Sequence, residues 1–449
     1  MCGQDTTDPA ALWHRDDLLT DPQGTGETTY RPEILDAIEQ TIASLNDELR
    51  ALSLDIHDHP EVRWEEHHAH DILVDFMQRK KWEVTEHHLL PTAWEAKFTH
   101  GTGGRTVGVN SEMDALPGVG HACGHNLIAI AGVAVALAIG AALEKFDIPG
   151  TVVLLGTPAE EGGAGKGVLL EKGAYEGMDA CVMCHPAPGP KHSAALSSCL
   201  ARQILEVEFH GHTAHAALSP WEGQNAVDAA VSAYNSISML RQQLLPTHRV
   251  HGIFIGKDWT PNIIPDYAKM VWYVRAPTRA EMEASTQRVI PCFKGAAIAT
   301  ACKENVKIAG ATYDLRQNKA LGDDFADVFR SRYGSVTYGY GIQSASTDFG
   351  NVTYALPALH PSFAIPTVEN GGNHTIAFAE SAASDAAHKA TVNVAKALAA
   401  TAVRLLDDAE FWFKVRVFPK MRNLCFTPKS SQVRETYEAD RAVRQRAHS

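Results

Sequence analysis

Residues 127–143 read LIAIAGVAVALAIGAAL, a run without a single charge. A stretch of this kind settles either across a bilayer or inside a protein core. Its length is at the short edge for a span, and it is rich in Ala and Gly. The segment before it, NSEMDALPGVGHACGHN (110–126), carries acids and histidines. The run therefore predicts a fully buried helix and no membrane span.

The rest of the chain supplies the layers such a helix needs. Apolar residues at helical spacing run from about Pro32 to Asp55, and a second amphipathic helix is expected within 57–84. WEAKFTH (94–100), TVGVNSEMD (106–114) and TVVLLGTP (151–158) read as strands. A helix is expected over about 165–172, and DACVMCH (179–185) reads as a short buried strand. Strands alternating with helices imply an α/β fold, a mixed sheet flanked by helices.

At about Leu200 the rhythm changes. ARQILEVEFHG, RVHGIFIG, YAKMVWYVRA and NVKIAGATY read as strands. NAVDAAVSAYNSISMLRQQL and the segment 279–304 read as helices, the latter despite Pro291. The order β-α-β-β-α-β describes a ferredoxin-like α+β unit. The α/β pattern resumes near Asn318. The expected division is a larger domain from 31–198 and 314–449, a ferredoxin-like insertion over 199–313, and a mobile segment over 1–30. The chain after His388 reads as helix-rich and ends in a charged tail.

A net charge of −13 argues against nucleic acid as a partner. The eight cysteines are scattered, and the opening MCGQDTTDPAALWHRDD has acids where a secretory signal has bases and an apolar core. Both features point to a reducing, cytoplasmic setting with mostly free thiols.

CVMCH (181–185) spells a haem-attachment or dithiol string. In a strand, however, alternate side chains face opposite ways, so Cys181 and Cys184 enter different apolar layers. His185 is left presented at the strand exit. Three more stretches carry chemistry. NSEMDALPGVGHACGHN offers Glu112, Asp114, His121, Cys123 and His125 beyond a strand, where α/β folds place their sites. Cys and His suit a borderline-soft ion such as zinc. LLGTPAEEGGAGKG sets Glu160 beside Glu161 at another strand exit, so that one can bind metal while the other moves a proton. The absence of the pattern G-x-x-x-x-G-K-S/T argues against a phosphate loop there. NGGNHTIAFAE (370–380) places His374 after a Gly-Gly turn.

Taken in order, H-x-C-G-H, P-A-E-E-G-G-x-G, H-P-A-P and N-H-T resemble the zinc-dependent amidohydrolases of peptidase clan MH. STDFGNVTYALPALHPSF (346–363) is most similar to the cytosolic dipeptidases of the M-twenty-domain branch. The resemblance covers about residues 32–400. It implies two divalent ions, zinc first and manganese second, on Cys123, His125, Glu161, His185 and His374. It implies Glu160 as the general base. Where aminoacylase-type relatives have H-x-D, this chain reads Glu112-Met113-Asp114, which leaves Asp114 as a residue orienting a ligand rather than binding metal.

The same resemblance gives roles to the insertion. GHTAHAALSPWEGQNAVDAA matches a G-x-x-A-H motif, whose His215 reaches a neighbouring subunit's site and stabilises an oxyanion. Asn262 and Arg275, in PNIIPDYAKMVWYVRA, match positions that bind a substrate's free carboxylate. The expected substrate is a dipeptide or N-acyl amino acid, and the expected assembly is a homodimer through the insertion, which also closes as a lid. Two rivals stand beside hydrolysis: a non-hydrolytic or amide-forming enzyme on the same scaffold, and an electron carrier built on CVMCH.

Overall fold

The computed structural model describes residues 29–341 and 345–416. Nearly all of the segment expected to be mobile, and the charged tail beyond 416, lie outside the described residues. The charge-free run lies in the helix His125–Phe146, whose residues from His125 to Gly140 are all buried. Among the described residues this is the one helix long and apolar enough to cross a membrane. Protein covers it: the helices Pro32–Asp58 and Asp385–Asp407 and the strands Arg105–Glu112 and Gly150–Thr157 pack against it. The small residues have a steric reason. A Cβ on Gly132 would stand 2.9 Å from the Asn110 carbonyl oxygen, closer than packed atoms tolerate.

The helix Pro32–Asp58 begins with Pro at its first position, where the missing N–H costs nothing. Ile34, Leu35, Ile38, Ile42, Leu45, Leu49, Leu52 and Ile56 form its buried stripe, the i, i+3, i+4 pattern of a core-facing helix. The main sheet has six strands in the order Glu83–Thr85, Trp94–His100, Gly150–Thr157, Arg105–Glu112, Ala180–Val182, Ala358–Leu359. Arg105–Glu112 runs parallel to both of its neighbours, and Trp94–His100 is antiparallel to Gly150–Thr157. The sheet is mixed and the fold is α/β.

The stretch expected as one strand, DACVMCH, is two. Ala180–Val182 stays in the main sheet. His185–Pro188 opens a second, four-stranded sheet by pairing in parallel with Ser362–Ile365. Alternation still rules the break. Cys181 and Met183 enter one apolar cluster, while Val182 and Cys184 enter another. Burial raises both thiols far above their usual range, so neither is a ready nucleophile.

Residues 201–312 build a separate antiparallel sheet. Ala201–His210 lies between Lys303–Thr312 and Tyr267–Ala276, and Arg249–Ile255 takes the far edge. Burial alternates without a break along Tyr267–Ala276: Ala268, Met270, Trp272, Val274 and Ala276 are buried. That face packs under the helices Ala226–Leu240 and Arg279–Thr300. The opposite face carries Tyr273 and Arg275 and is half-open.

Candidate metal centre

Three chain segments leave the main sheet at the carboxyl ends of parallel strands, and each delivers side chains to one cavity. After Arg105–Glu112 the chain turns through Asp114 to Cys123 and His125. Gly124, at φ 77°, precedes the buried helix in a left-handed conformation that favours glycine. A side chain there would meet Pro186 Cγ at 2.6 Å, so the loop bearing Cys123 seats directly on the residue after His185. After Gly150–Thr157 the chain turns at Ala159, left-handed at φ 58°, and presents Glu160 and Glu161. The third segment brings His185.

His374 arrives from the far end of the chain. It too is left-handed, at φ 70°, a conformation that costs of order 1 kcal/mol and persists only when its surroundings enforce it. The enforcement is visible. Its backbone N–H donates to Ala122 O at 2.7 Å, and Thr375 caps the following helix by accepting from the Phe378 N–H. Asn373 donates to Pro186 O at 3.3 Å and reaches Cys123 Sγ at 3.7 Å.

Potential ligand atoms of Cys123, His125 and His185 all lie within 4.8 Å of one another, as do those of Cys123, Glu161 and His374, and those of His125, Glu160 and Glu161. Cys123 belongs to the first two sets. Cys123 Sγ lies 3.4 Å from His185 Nε2. Glu161 Oε1 is 3.3 Å from His374 Nε2, and His125 Nε2 is 3.3 Å from Glu112 Oε2. His125 Nε2 is buried without a well-formed hydrogen bond, and Glu161 Oε1 has only its 3.3 Å ion pair with His374. Buried polar atoms left so poorly satisfied beside a thiol and two further histidines are what a cation would complete.

The electrostatics agree. Burial alone would raise the Cys123 thiol, but His185 and hydrogen bonds from its histidine neighbours bring it down to about 6. Hydrogen bonds to Cys123 and Glu161 raise His374 to about 10. Burial opposes charge on His125, yet Glu112 and Asp114 hold its pKa well above the usual value. The cluster is thus rich in anionic donors and takes up protons where cations would bind, the competition expected at a metal site. The residues fit a pair of divalent ions. Glu160 differs: burial and the carboxylates of Glu161, Glu112 and Asp348 push its pKa well up, against the pull of Lys166.

Asp114 is placed to orient rather than to bind. Its Oδ1 is 3.1 Å from His125 Nδ1, and its Oδ2 accepts the Glu161 N–H. Arg275 lines the same cavity, of about 480 Å³, with Cys123, Glu160, Glu161, His185 and His374. His215 and Asn262 do not line it. They are exposed on the loops of the 201–312 sheet, where Ala216 N–H donates to Asn262 O and His215 pairs with Ile263 in an isolated bridge.

Several residues beneath the site had no signal in the sequence. Lys166, near the start of the helix Gly165–Glu171, is fully buried and forms ion pairs with Glu112 at 2.6 Å and Asp348 at 2.7 Å. Glu66, also buried, accepts the Ala159 N–H and the Thr92 hydroxyl, fixing the turn before Glu160. His360 stacks on His185 with ring centroids 6.0 Å apart, and burial pulls it down to about 3. Only the fold brings these together.

Residues 108–407 match the model of Peptidase family M20/M25/M40. The chain belongs to this family. It is 41% identical over 388 residues to the human (Homo sapiens) Xaa-Arg dipeptidase, covering 82% of this chain and 88% of that protein. It is 27% identical to a p-aminobenzoyl-glutamate hydrolase component of Escherichia coli (strain K12), over 84% of this chain and 93% of the other. A dinuclear metal-binding peptidase of the M20 family from Bacillus subtilis shares the fold, with a TM-score of 0.63 at 20% identity, over 82% of this chain and 99% of that one.

Proposed function

We propose that this family member hydrolyses the amide bond of a dipeptide or N-acyl amino acid with a free carboxylate. One observation carries the reading: Cys123, Glu161, His185 and His374, far apart in sequence, line one cavity with Glu160, and the fully buried His125 brings a potential ligand atom within 4.8 Å of those of Cys123 and His185. The names of its relatives, a dipeptidase and an aminobenzoyl-glutamate hydrolase, support the same class of bond.

Cys123, His125, Glu161, His185 and His374 would hold the divalent ions, since their potential ligand atoms converge in sets that share Cys123, His125 and Glu161. Zinc suits this Cys, His and carboxylate set, with manganese second. Bound there, the ions supply Lewis acidity to the amide carbonyl and lower the pKa of the attacking water.

Glu160 takes a proton from that water at a carboxylate oxygen and delivers it to the leaving nitrogen as the C–N bond breaks. Its raised pKa favours holding the proton between those two events. Asp114 keeps His125 and the Glu161 backbone in place throughout. Arg275 receives the free carboxylate through a forked pair of hydrogen bonds. His215 and Asn262, exposed and outside the cavity of their own chain, complete the site of a neighbouring subunit in a homodimer joined through the 201–312 sheet, with His215 donating to the oxyanion.

The test combines metal analysis with a panel of dipeptides and N-acyl amino acids, using Glu160→Gln as the control. The expected result is two equivalents of divalent metal and turnover that falls by at least about 100-fold in the variant while metal content stays the same. Full activity in chelated, metal-free protein would overturn the reading.

A further inference from the structure

Among the described residues, one further group of ligand-type side chains lies outside the catalytic cavity. Potential ligand atoms of Asp55, His59 and His68 all lie within 4.8 Å of one another. Asp55 is in the last turn of the helix Pro32–Asp58, His59 follows its end, and His68 is in the first turn of His67–Arg79. Spacing of i, i+4 puts Asp55 and His59 on one face, and the connection between the helices returns His68 to them. Glu61 fixes that return, because its carboxylate accepts the N–H groups of His68 at 2.8 Å and Ala69 at 3.0 Å.

Both imidazoles converge on one carboxylate oxygen. Asp55 Oδ1 lies 2.9 Å from His59 Nδ1 and 2.9 Å from His68 Nε2, and the two ring centroids are 4.4 Å apart. His59 Nδ1 also meets the Asp55 backbone oxygen at 2.9 Å, which orients its ring. An ion with bonds of about 2.0 Å sets tetrahedral neighbours about 3.3 Å apart. Each carboxylate–imidazole separation therefore needs to open by only a few tenths of an ångström to admit one. The side chains of His59, Asp55 and His68 are 58%, 44% and 36% exposed, so water can complete the coordination. Two imidazoles with one carboxylate select a borderline-soft divalent ion, zinc first, over calcium or magnesium, which take oxygen ligands.

The connection these residues bracket, 59–66, also supports the catalytic loops from behind. Glu61 O accepts the Ala115 N–H at 2.7 Å, next to Asp114, and Val62 pairs with Ala115 in an isolated bridge. Arg63 Nη1 donates to Glu161 O at 3.0 Å, and Glu66 accepts the Ala159 N–H at 2.8 Å. In its middle Trp64 is left-handed, at φ 69°, a strained conformation for a bulky residue that persists only where the surroundings enforce it.

We propose that Asp55, His59 and His68 form a third divalent-cation site, of zinc type, that clamps the facing ends of the first two helices and so fixes the 59–66 connection behind the catalytic loops. The site shares no ligand with the catalytic cavity. It therefore goes beyond the amide-hydrolysis reading and does not depend on it.

The test uses untagged full-length protein, stripped with a chelator and dialysed against buffered zinc. The parent should bind three equivalents. His59→Gln and His68→Gln should each bind two, with an unchanged circular dichroism spectrum. Amide exchange over 59–66, read by mass spectrometry, should slow as the third equivalent binds to the parent and should not respond in the variants. An equivalent retained in either variant overturns the site. An equivalent lost in both variants with no change in exchange overturns the clamp. If the catalytic cavity takes up no zinc, the amide-hydrolysis reading fails, and the difference of one equivalent between parent and variants still decides this site.

Discussion

Asp114 accepts the backbone N–H of Glu161 at 2.9 Å through Oδ2, while its Oδ1 lies 3.1 Å from His125 Nδ1. One buried carboxylate therefore spans both halves of the candidate metal centre, tying a residue after one strand to a residue after its neighbour. Asp114→Asn keeps the shape but leaves one acceptor where two are used. The amide's NH2 must then oppose either the Glu161 N–H or His125 Nδ1. Metal affinity should fall about 10–100-fold, as for partners that orient ligands elsewhere. Titration with a competing chelator checks this, and an unchanged circular dichroism spectrum separates the loss from unfolding.

Lys166 makes a different prediction. Its Nζ donates to Asp348 and forms an ion pair with Glu112, and its backbone N–H also goes to Asp348. Removing one partner of a buried ion network leaves an uncompensated charge, at a cost of about 3–5 kcal/mol. Lys166→Met should lower the denaturant midpoint accordingly. Adding Asp348→Asn removes one of the stranded carboxylates, so the double variant should lose clearly less than the sum of the two single losses. Additive losses would mean that Lys166 and Asp348 are not coupled.

The four motifs were legible because each is local. Cys123 and His125 share one turn, Glu160 and Glu161 are adjacent, and His185 and His374 each sit in a short marked string. The alternation that buries Cys181 and Cys184 on opposite faces was legible for the same reason. What the motifs lacked was long-range partnership. Nothing near Lys166 in sequence announces Asp348, and nothing near Glu66 announces Ala159. The second strand beginning at His185 was hidden as well, because its partner Ser362–Ile365 lies far downstream. Arg202 reads as one polar residue in an alternating strand until the register sets it against Arg275.

The pH response has an identifiable contributor away from the metal centre. His388 is buried, with Nε2 3.1 Å from Asn46 Oδ1 and no partner on Nδ1. Burial first, and then the Arg50 charge, hold its pKa below the usual histidine value. The unfolded chain therefore binds this proton first as pH falls. The stability it contributes is complete above about pH 6.5 and is lost as pH drops below that value. Unfolding measured from pH 8 to pH 5 should show a smaller loss for His388→Gln than for the parent. Identical slopes would exclude His388 as a contributor.

The last prediction concerns the helix Arg279–Thr300, which contains Pro291 at an exposed position in its interior. Proline there has no N–H for the Gln287 carbonyl, and its ring crowds that carbonyl. The helix survives because Met282, Val289 and Phe293 are buried beneath it, so packing outweighs propensity. Pro291→Ala restores the missing hydrogen bond without touching that buried face. It should stabilise the protein by about 1–3 kcal/mol, read as a higher denaturant midpoint. Turnover should not change, because the cavity lies against the opposite face of the sheet, where Tyr273 and Arg275 point. A fall in activity with the gain in stability would mean that the helix must bend at Pro291 for the insertion to close over the site.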